Sequence, residues 1–221
     1  MVLLTCNQSE RTLLCTSNYL ESVPVRGRRC RDQLNVKVDK EGRTPLHYSA
    51  LYGTNGSSLV DLLLISHGGC EVDRVDSTGH TALMYACQRG HYAVVTTLLR
   101  RGANAGLVDC DGRLALHHCF TGTAPSLNCC KLLLHRGSVG AMDVVNLADT
   151  TGVTPLMLAC QTCSCTNIAI IRYLIEHDAD PIAQDNTGRD SFDYCPFDAE
   201  YVKAVLRERT GKFLFGFGKY L

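Results

Sequence analysis

The sequence predicts an all-α fold, a solenoid of short helix-turn-helix units stacked side by side and joined by β-turn or hairpin loops, and three observations carry the prediction. A five-residue pattern returns along the chain: T-P-L-H-Y from Thr44, T-A-L-M-Y from Thr81, L-A-L-H-H from Leu114 and T-P-L-M-L from Thr154. Each copy lies two residues after a glycine that is itself three residues after an aspartate. These anchors are Asp39 and Gly42, Asp76 and Gly79, Asp109 and Gly112, Asp149 and Gly152, with an eroded fifth pair at Asp185 and Gly188. Apolar residues at helical spacing then follow, clearest after the second and fourth copies. Self-similarity at a period of ~33 residues or slightly more implies a stack rather than a globule.

The unit that starts at Asp76 justifies each element in turn. Gly79 supplies the positive φ of a tight turn, in which the Asp76 side chain can accept bonds from nearby backbone. Thr81 follows as the N-cap of a helix, its hydroxyl satisfying an orphan backbone donor. Pro45 and Pro155, one place further on in their units, suit the first helical turn because no amide is needed there. This helix runs about two turns and stops at Gly90, a glycine just past the C-terminus. A second helix carries Val94 and Val95, then Leu98 and Leu99, on one face and closes at Gly102. The same face returns as Ile170, Ile171, Leu174 and Ile175, and as Val202, Val205 and Leu206. Neither helix is long enough to persist alone, so only neighbouring units can bury these stripes.

Departures from the pattern locate the irregular parts. The anchor aspartates are 37, 33, 40 and 36 residues apart, so three intervals hold insertions, expected at Thr54–Ser58, at Thr121–Ser126 or Ser138–Val145, and at Thr162–Thr166. Leu114 in the capping slot weakens its helix by about 1 kcal/mol. In the fifth copy Pro196 cuts the first helix short and Asp193 takes the motif histidine's place, as expected of a terminal capping unit. The organisation predicted is an N-terminal segment over 1–33 that can hold a degenerate cap, a repeat domain over 34–208 and an aromatic tail over 209–221. That tail ends F-L-F-G-F-G-K-Y-L, and it is open to folding back on the stack, docking a partner or marking a longer chain.

These residues resemble the ankyrin-repeat family, whose pattern is roughly D-x-x-G-x-T-P-L-H-x-A-A-x-x-G-H followed by V-V-x-x-L-L-x-x-G-A-D. The fullest match runs from Asp76 to Asn104 and the front half matches strongly from Asp39 to Gly53. Looser matches begin at Asp109 and Asp149. The resemblance implies that His47 and His117 are structural, each linking neighbouring units through hydrogen bonds. It also implies a concave groove lined by the inner helices and projecting turns. The partner-binding residues it points to are Lys40, Glu41, Arg43, Leu51 and Tyr52; then Ser77, Thr78, His80, Gln88 and Arg89; then Cys110, Asp111 and Arg113. Tyr52 and Arg89 are of types enriched at binding hot spots.

Composition narrows the function classes. Charges cancel to a formal net of zero, so no field for nucleic acid is implied, and the R-G-R-R-C-R run from Arg26 to Arg31 reads first as a solvated loop. No stretch approaches the ~20 apolar residues of a membrane span, and M-V-L-L-T-C is too short for a signal sequence. A cytoplasmic location is expected, with the nucleus open through the arginine run as an import signal. Thirteen cysteines, an odd count in a long chain, read as free thiols in a reducing compartment. Six fall in packing slots: Cys87, Cys119, Cys129, Cys130, Cys160 and Cys195. Cys160, Cys163 and Cys165 have metal-like spacing, but the small-residue slot of Cys160 favours packing over zinc. No phosphate loop, zinc-protease helix or nucleophile elbow is present, so neither an enzyme nor a cofactor is expected. The leading expectation is a scaffold or adaptor that binds an unidentified protein partner and is otherwise monomeric. The alternatives are a regulatory appendage of an enzyme, or a cysteine-based metal or redox sensor.

Overall fold

The computed structural model describes residues 4–7, 12–15, 23–24, 39–53, 56–65, 71–122, 125–136, 144–162, 168–196 and 199–216. Within the repeats the elements are helical: α1 Pro45–Tyr52, α2 Gly56–Ile65, α3 Ala82–Gln88, α4 Tyr92–Arg100, α5 Ala115–Thr121, α6 Leu127–Arg136, α7 Pro155–Gln161, α8 Ile168–Glu176 and α9 Glu200–Gly216. The N-terminal segment differs. It holds three short strands, β1 Leu4–Asn7, β2 Thr12–Cys15 and β3 Val23–Pro24, paired antiparallel in that order. No helix among the described residues is long and apolar enough to cross a membrane.

The helices form two layers. The inner helices pack in sequence, α1 on α3, α3 on α5 and α5 on α7, while α2, α4, α6 and α8 form the outer row. Between the layers lies a continuous apolar core. Leu46, Leu83, Leu116 and Leu156, the leucine of each motif copy, are buried in the inner row. Val94, Val95 and Leu98, Cys129, Cys130 and Leu133, and Ile170, Ile171 and Leu174 fill the outer one. Leu99, the second leucine of its pair, is only partly buried. The six cysteines assigned to packing slots are all buried. Cys163 and Cys165, the other members of the run with metal-like spacing, lie outside the described residues.

Local signals act where the sequence places them. Thr81 and Thr154 cap their helices by accepting the N–H of Met84 at 3.3 Å and of Met157 at 3.4 Å, and Pro45 and Pro155 open α1 and α7. At the end of α3, Gly90 donates to Cys87 O and His91 to Ala86 O, the paired bonds of a Schellman stop. The expected insertion at Thr54–Ser58 is partly absorbed, because α2 already begins at Gly56. In the fifth unit, residues 191–195 form turns in place of a first helix. The aromatic tail begins as helix: α9 carries on through Gly216 rather than ending with the repeat at 208.

The turns between units join into one ribbon. Ser77 N donates to Glu41 O, Cys110 N to Thr78 O, Thr150 N to Asp111 O and Asn186 N to Thr151 O, at 2.8 to 3.1 Å. Close approach of successive turns explains the glycines as much as backbone dihedral does. Gly152 and Gly188 have φ of 83° and 82°. A Cβ at Gly152 would stand 2.7 Å from Asn186 N and 2.9 Å from Asp185 Cα, whereas one at Gly188 would meet nothing within 4 Å among the described residues. Gly188→Ala is therefore expected to cost only the left-handed penalty of about 1–2 kcal/mol. Gly152→Ala adds a steric clash of about 1–3 kcal/mol. Equilibrium urea unfolding of the two variants checks this, and equal losses would show that the turns are not tightly nested.

Candidate functional site

One carboxylate per unit builds the projecting turns that border the groove. Oδ1 of Asp39 accepts the N–H groups of Glu41 and Arg43, and Oδ1 of Asp76 those of Thr78 and His80. Asp109 does the same for Asp111 and Arg113, Asp149 for Thr151 and Val153, and Asp185 for Thr187 and Arg189. All ten bonds measure 2.8 to 3.0 Å. Burial pushes the Asp76 and Asp149 carboxyls up, but the hydroxyl and backbone donors aimed at them outweigh it and hold both below the usual range. Asp185 is lowered chiefly by the Thr187 hydroxyl.

Oδ2 receives a second partner from nine residues on, from the inner helix in the first three units and from the turns that replace it in the fifth. Tyr48 donates to Asp39 at 2.5 Å, Tyr85 to Asp76 at 2.7 Å, His118 to Asp109 at 2.8 Å and Tyr194 to Asp185 at 2.8 Å. The preceding turn adds a third group. Arg43 Nε donates to the Tyr85 hydroxyl at 3.2 Å and lies 3.8 Å from Asp76, His80 Nε2 lies 3.7 Å from Asp109, and Arg113 Nε donates to Asp149 at 3.0 Å. In the fourth unit both letters change, to Val153 and Leu158. The polar ladder stops there, and a cleft of about 470 Å³ opens against an apolar floor of Val153 and Leu158, edged by Arg113, Gln161, Asp185 and Tyr194. Of these the sequence assigned only Arg113 to binding; the signal for the rest was the break at Leu158 in the Tyr or His column and at Val153 in the Arg or His column.

The motif histidines behave as the resemblance implies. His47 Nδ1 accepts Thr44 N–H at 3.0 Å, so the ring carries its proton on Nε2 and donates it to His80 O of the next unit at 3.1 Å. His117 repeats the arrangement with Leu114 N at 3.1 Å and Val153 O at 3.3 Å. The Leu114 amide thus keeps a partner although its side chain cannot cap. Met84 and Met157 accept the same amide through sulfur, each at 3.4 Å, and Asp193 accepts it from Asp190 at 3.1 Å. Burial lowers both histidines, His117 to about 4.

The thirteen residues proposed for partner binding divide into two groups. Lys40, Glu41, Ser77, Thr78, Cys110 and Asp111 are exposed at the turns, and Tyr52 and Arg89 are exposed at equivalent ends of the inner helices. Tyr52 is 44% exposed and stacked on Tyr48, with ring centroids 6.3 Å apart and planes within 5°. Leu51 and Gln88 are half-buried. Arg43, His80 and Arg113 are half-buried too, and each is engaged by the ladder rather than projecting freely. The Thr78 hydroxyl is likewise held, by Asp76.

A family model described as ankyrin repeats (three copies) matches residues 25–109, 54–143, 98–185 and 126–208 in overlapping windows. The chain is 31% identical over 160 residues to an ankyrin repeat protein of fowlpox virus (strain NVSL), covering 72% of this chain and 45% of that one. It is 38% identical over 111 residues to an E3 ubiquitin-protein ligase of Arabidopsis thaliana, 50% of this chain and 20% of that one. A Danio rerio protein named as a palmitoyltransferase is 30% identical over 183 residues, 80% of this chain and 26% of its own length. The chain therefore spans less than half the length of these relatives.

His117 makes acid a probe of the unit junctions. Its folded pKa of about 4 lies below the ~6.5 of an unfolded histidine, so between these values the unfolded chain holds the extra proton. Stability falls as pH drops through that window, by about 3 kcal/mol in all. His117→Met, using the residue of the second and fourth units, should shrink the loss between pH 7 and about pH 4.5 by roughly 2 kcal/mol. Urea unfolding at the two pH values measures it, and an unchanged loss would show that the imidazole is not held neutral.

Proposed function

The chain belongs to the ankyrin-repeat family, and from that premise we propose that it is a non-enzymatic scaffold or adaptor that holds a partner protein in the groove between its turns and inner helices. One observation carries this reading. Tyr52 is a large aromatic side chain held outward by stacking on Tyr48, whose own hydroxyl is tied to Asp39. A ring already packed beside a fixed neighbour loses less freedom on contact, which favours it as an anchor. Arg89 occupies the same position one unit later and is exposed. The cleft over Val153 and Leu158 extends the same surface toward the end of the stack.

A second reading, a regulatory appendage of an enzyme, is supported by the ubiquitin-protein ligase and the protein named as a palmitoyltransferase among the relatives. Both are far longer than the region this chain matches. In either case the chain binds rather than catalyses, in the cytoplasm or the nucleus. Affinity capture from lysate with wild type, Tyr52→Ala and Arg89→Ala as baits tests the groove. Proteins retained by wild type should fall at least about tenfold with the variants, the loss of one hot-spot contact, while Tm moves by no more than about 1–2 °C. Undiminished retention would remove the groove from the proposal, and a large fall in Tm would make these side chains structural.

A further inference from the structure

At one junction of the ladder of turn carboxylates two imidazoles meet the same carboxylate. Between the first and second units the three side chains that meet are Arg43, Asp76 and Tyr85; between the third and fourth they are Arg113 and Asp149, with Leu158 beside them. Between the second and third units the same places hold His80, Asp109 and His118. The substitution replaces a guanidinium without a lone pair and a phenol by two imidazoles, on an unchanged backbone frame.

The protons show what the trio lacks. The Thr78 hydroxyl donates to Asp76 Oδ1 at 2.7 Å, so its oxygen accepts the Nδ1–H of His80 at 2.6 Å. With its proton on Nδ1, the His80 ring turns Nε2 toward Asp109 Oδ2, 3.7 Å away. Two electron-rich atoms face each other. Asp109 is fixed through Oδ1 by the Asp111 and Arg113 amides, and its Oδ2 lies 2.8 Å from His118 Nε2, whose proton moves to Nδ1, 3.5 Å from the Thr121 hydroxyl oxygen, when Nε2 takes an ion. The three ligand atoms lie within 4.8 Å of one another.

We propose that His80 Nε2, Asp109 Oδ2 and His118 Nε2 bind a divalent transition-metal ion of the zinc class, with the fourth position open to solvent. Around tetrahedral zinc, ligand atoms stand ~3.3 Å apart, and the distances from Asp109 Oδ2 to the two imidazole nitrogens, 2.8 and 3.7 Å, bracket that value. Two imidazoles with one carboxylate select zinc, cobalt or copper over calcium and magnesium. His80 Nδ1–H bonded to Thr78 is the outer-shell contact that orients a metal-binding ring. The ion enters past His80, whose side chain is 20% exposed, while those of Asp109 and His118 are almost fully buried. Bound there, it links the second unit to the third.

The test is a Co²⁺ titration of the full chain after chelator treatment. Binding of one Co²⁺ per chain is expected, with visible bands of nitrogen and oxygen ligation, displacement by Zn²⁺ and no near-ultraviolet thiolate charge transfer. The double variant His80→Arg with His118→Tyr, which restores the residues of the first junction, should melt normally and lose the bands; His80→Gln, altering only the accessible ligand, should lose them too. Thr78→Val should weaken binding by about ten- to a hundredfold. Absence of Co²⁺ binding, bands that survive both histidine variants, or thiolate charge transfer marking the cysteines as ligands would each overturn the assignment.

Discussion

An aspartate at the base of each turn, half-buried in the first unit and buried in the other four, accepts two backbone N–H groups from the residues two and four places on, and the stacking of the units depends on that turn keeping its shape. Hydrogen bonds to a charged acceptor are worth about 1.5–3 kcal/mol each, and a buried carboxylate left without them is strongly unfavourable. The turn so fixed presents one carbonyl and one N–H to its neighbours, which is how Asp111 O meets Thr150 N and Thr151 O meets Asn186 N. It also aims the side chain at its end across the junction, Arg43 toward Asp76, His80 toward Asp109 and Arg113 toward Asp149. Apolar stacking supplies the driving force, and the carboxylate sets the spacing at which that stacking occurs.

Much of the frame is legible in the sequence because it is local. Thr81 caps, Pro45 and Pro155 open helices, Gly90 stops one, and the paired apolar letters face inward, all over spans of a few residues. Less legible is what the letters do across distance. The last letter of the motif, Tyr48, Tyr85 or His118, reads as a mere variable position, yet it completes the carboxylate of its own unit. The ninth place in the unit reads as histidine eroded to Met84, Met157 and Asp193. Its common task is to accept one backbone N–H, which imidazole, thioether and carboxylate all do. The strands at Leu4–Asn7, Thr12–Cys15 and Val23–Pro24 lie outside the periodic pattern, so no repeat argument reaches them.

The candidate surface follows from subtracting this frame from the concave side. Of the positions the resemblance assigns to binding, Arg43, His80 and Arg113 are committed to neighbouring units, whereas Tyr52, Arg89 and the turn tips are not part of the ladder. Where the ladder lapses, at Val153 and Leu158, the surface becomes concave, with these two at the floor and polar side chains such as Arg113, Gln161 and Arg189 around them. Variation in the frame therefore does two things along one stack, creating a cleft at one junction and an imidazole pair at another. Neither is visible from a motif that scores conformity alone.

Amide hydrogen exchange in wild type and Asp149→Ala tests the dependence of stacking on the turn carboxylate most directly. Removing the carboxylate should release the Thr151 and Val153 amides that it holds. The Thr150 and Asn186 amides, which are bonded to other units, should lose protection with them, ahead of those inside α7. Retained protection at Thr150 and Asn186 would contradict the account, because it would mean that the ribbon of turns is held by packing alone.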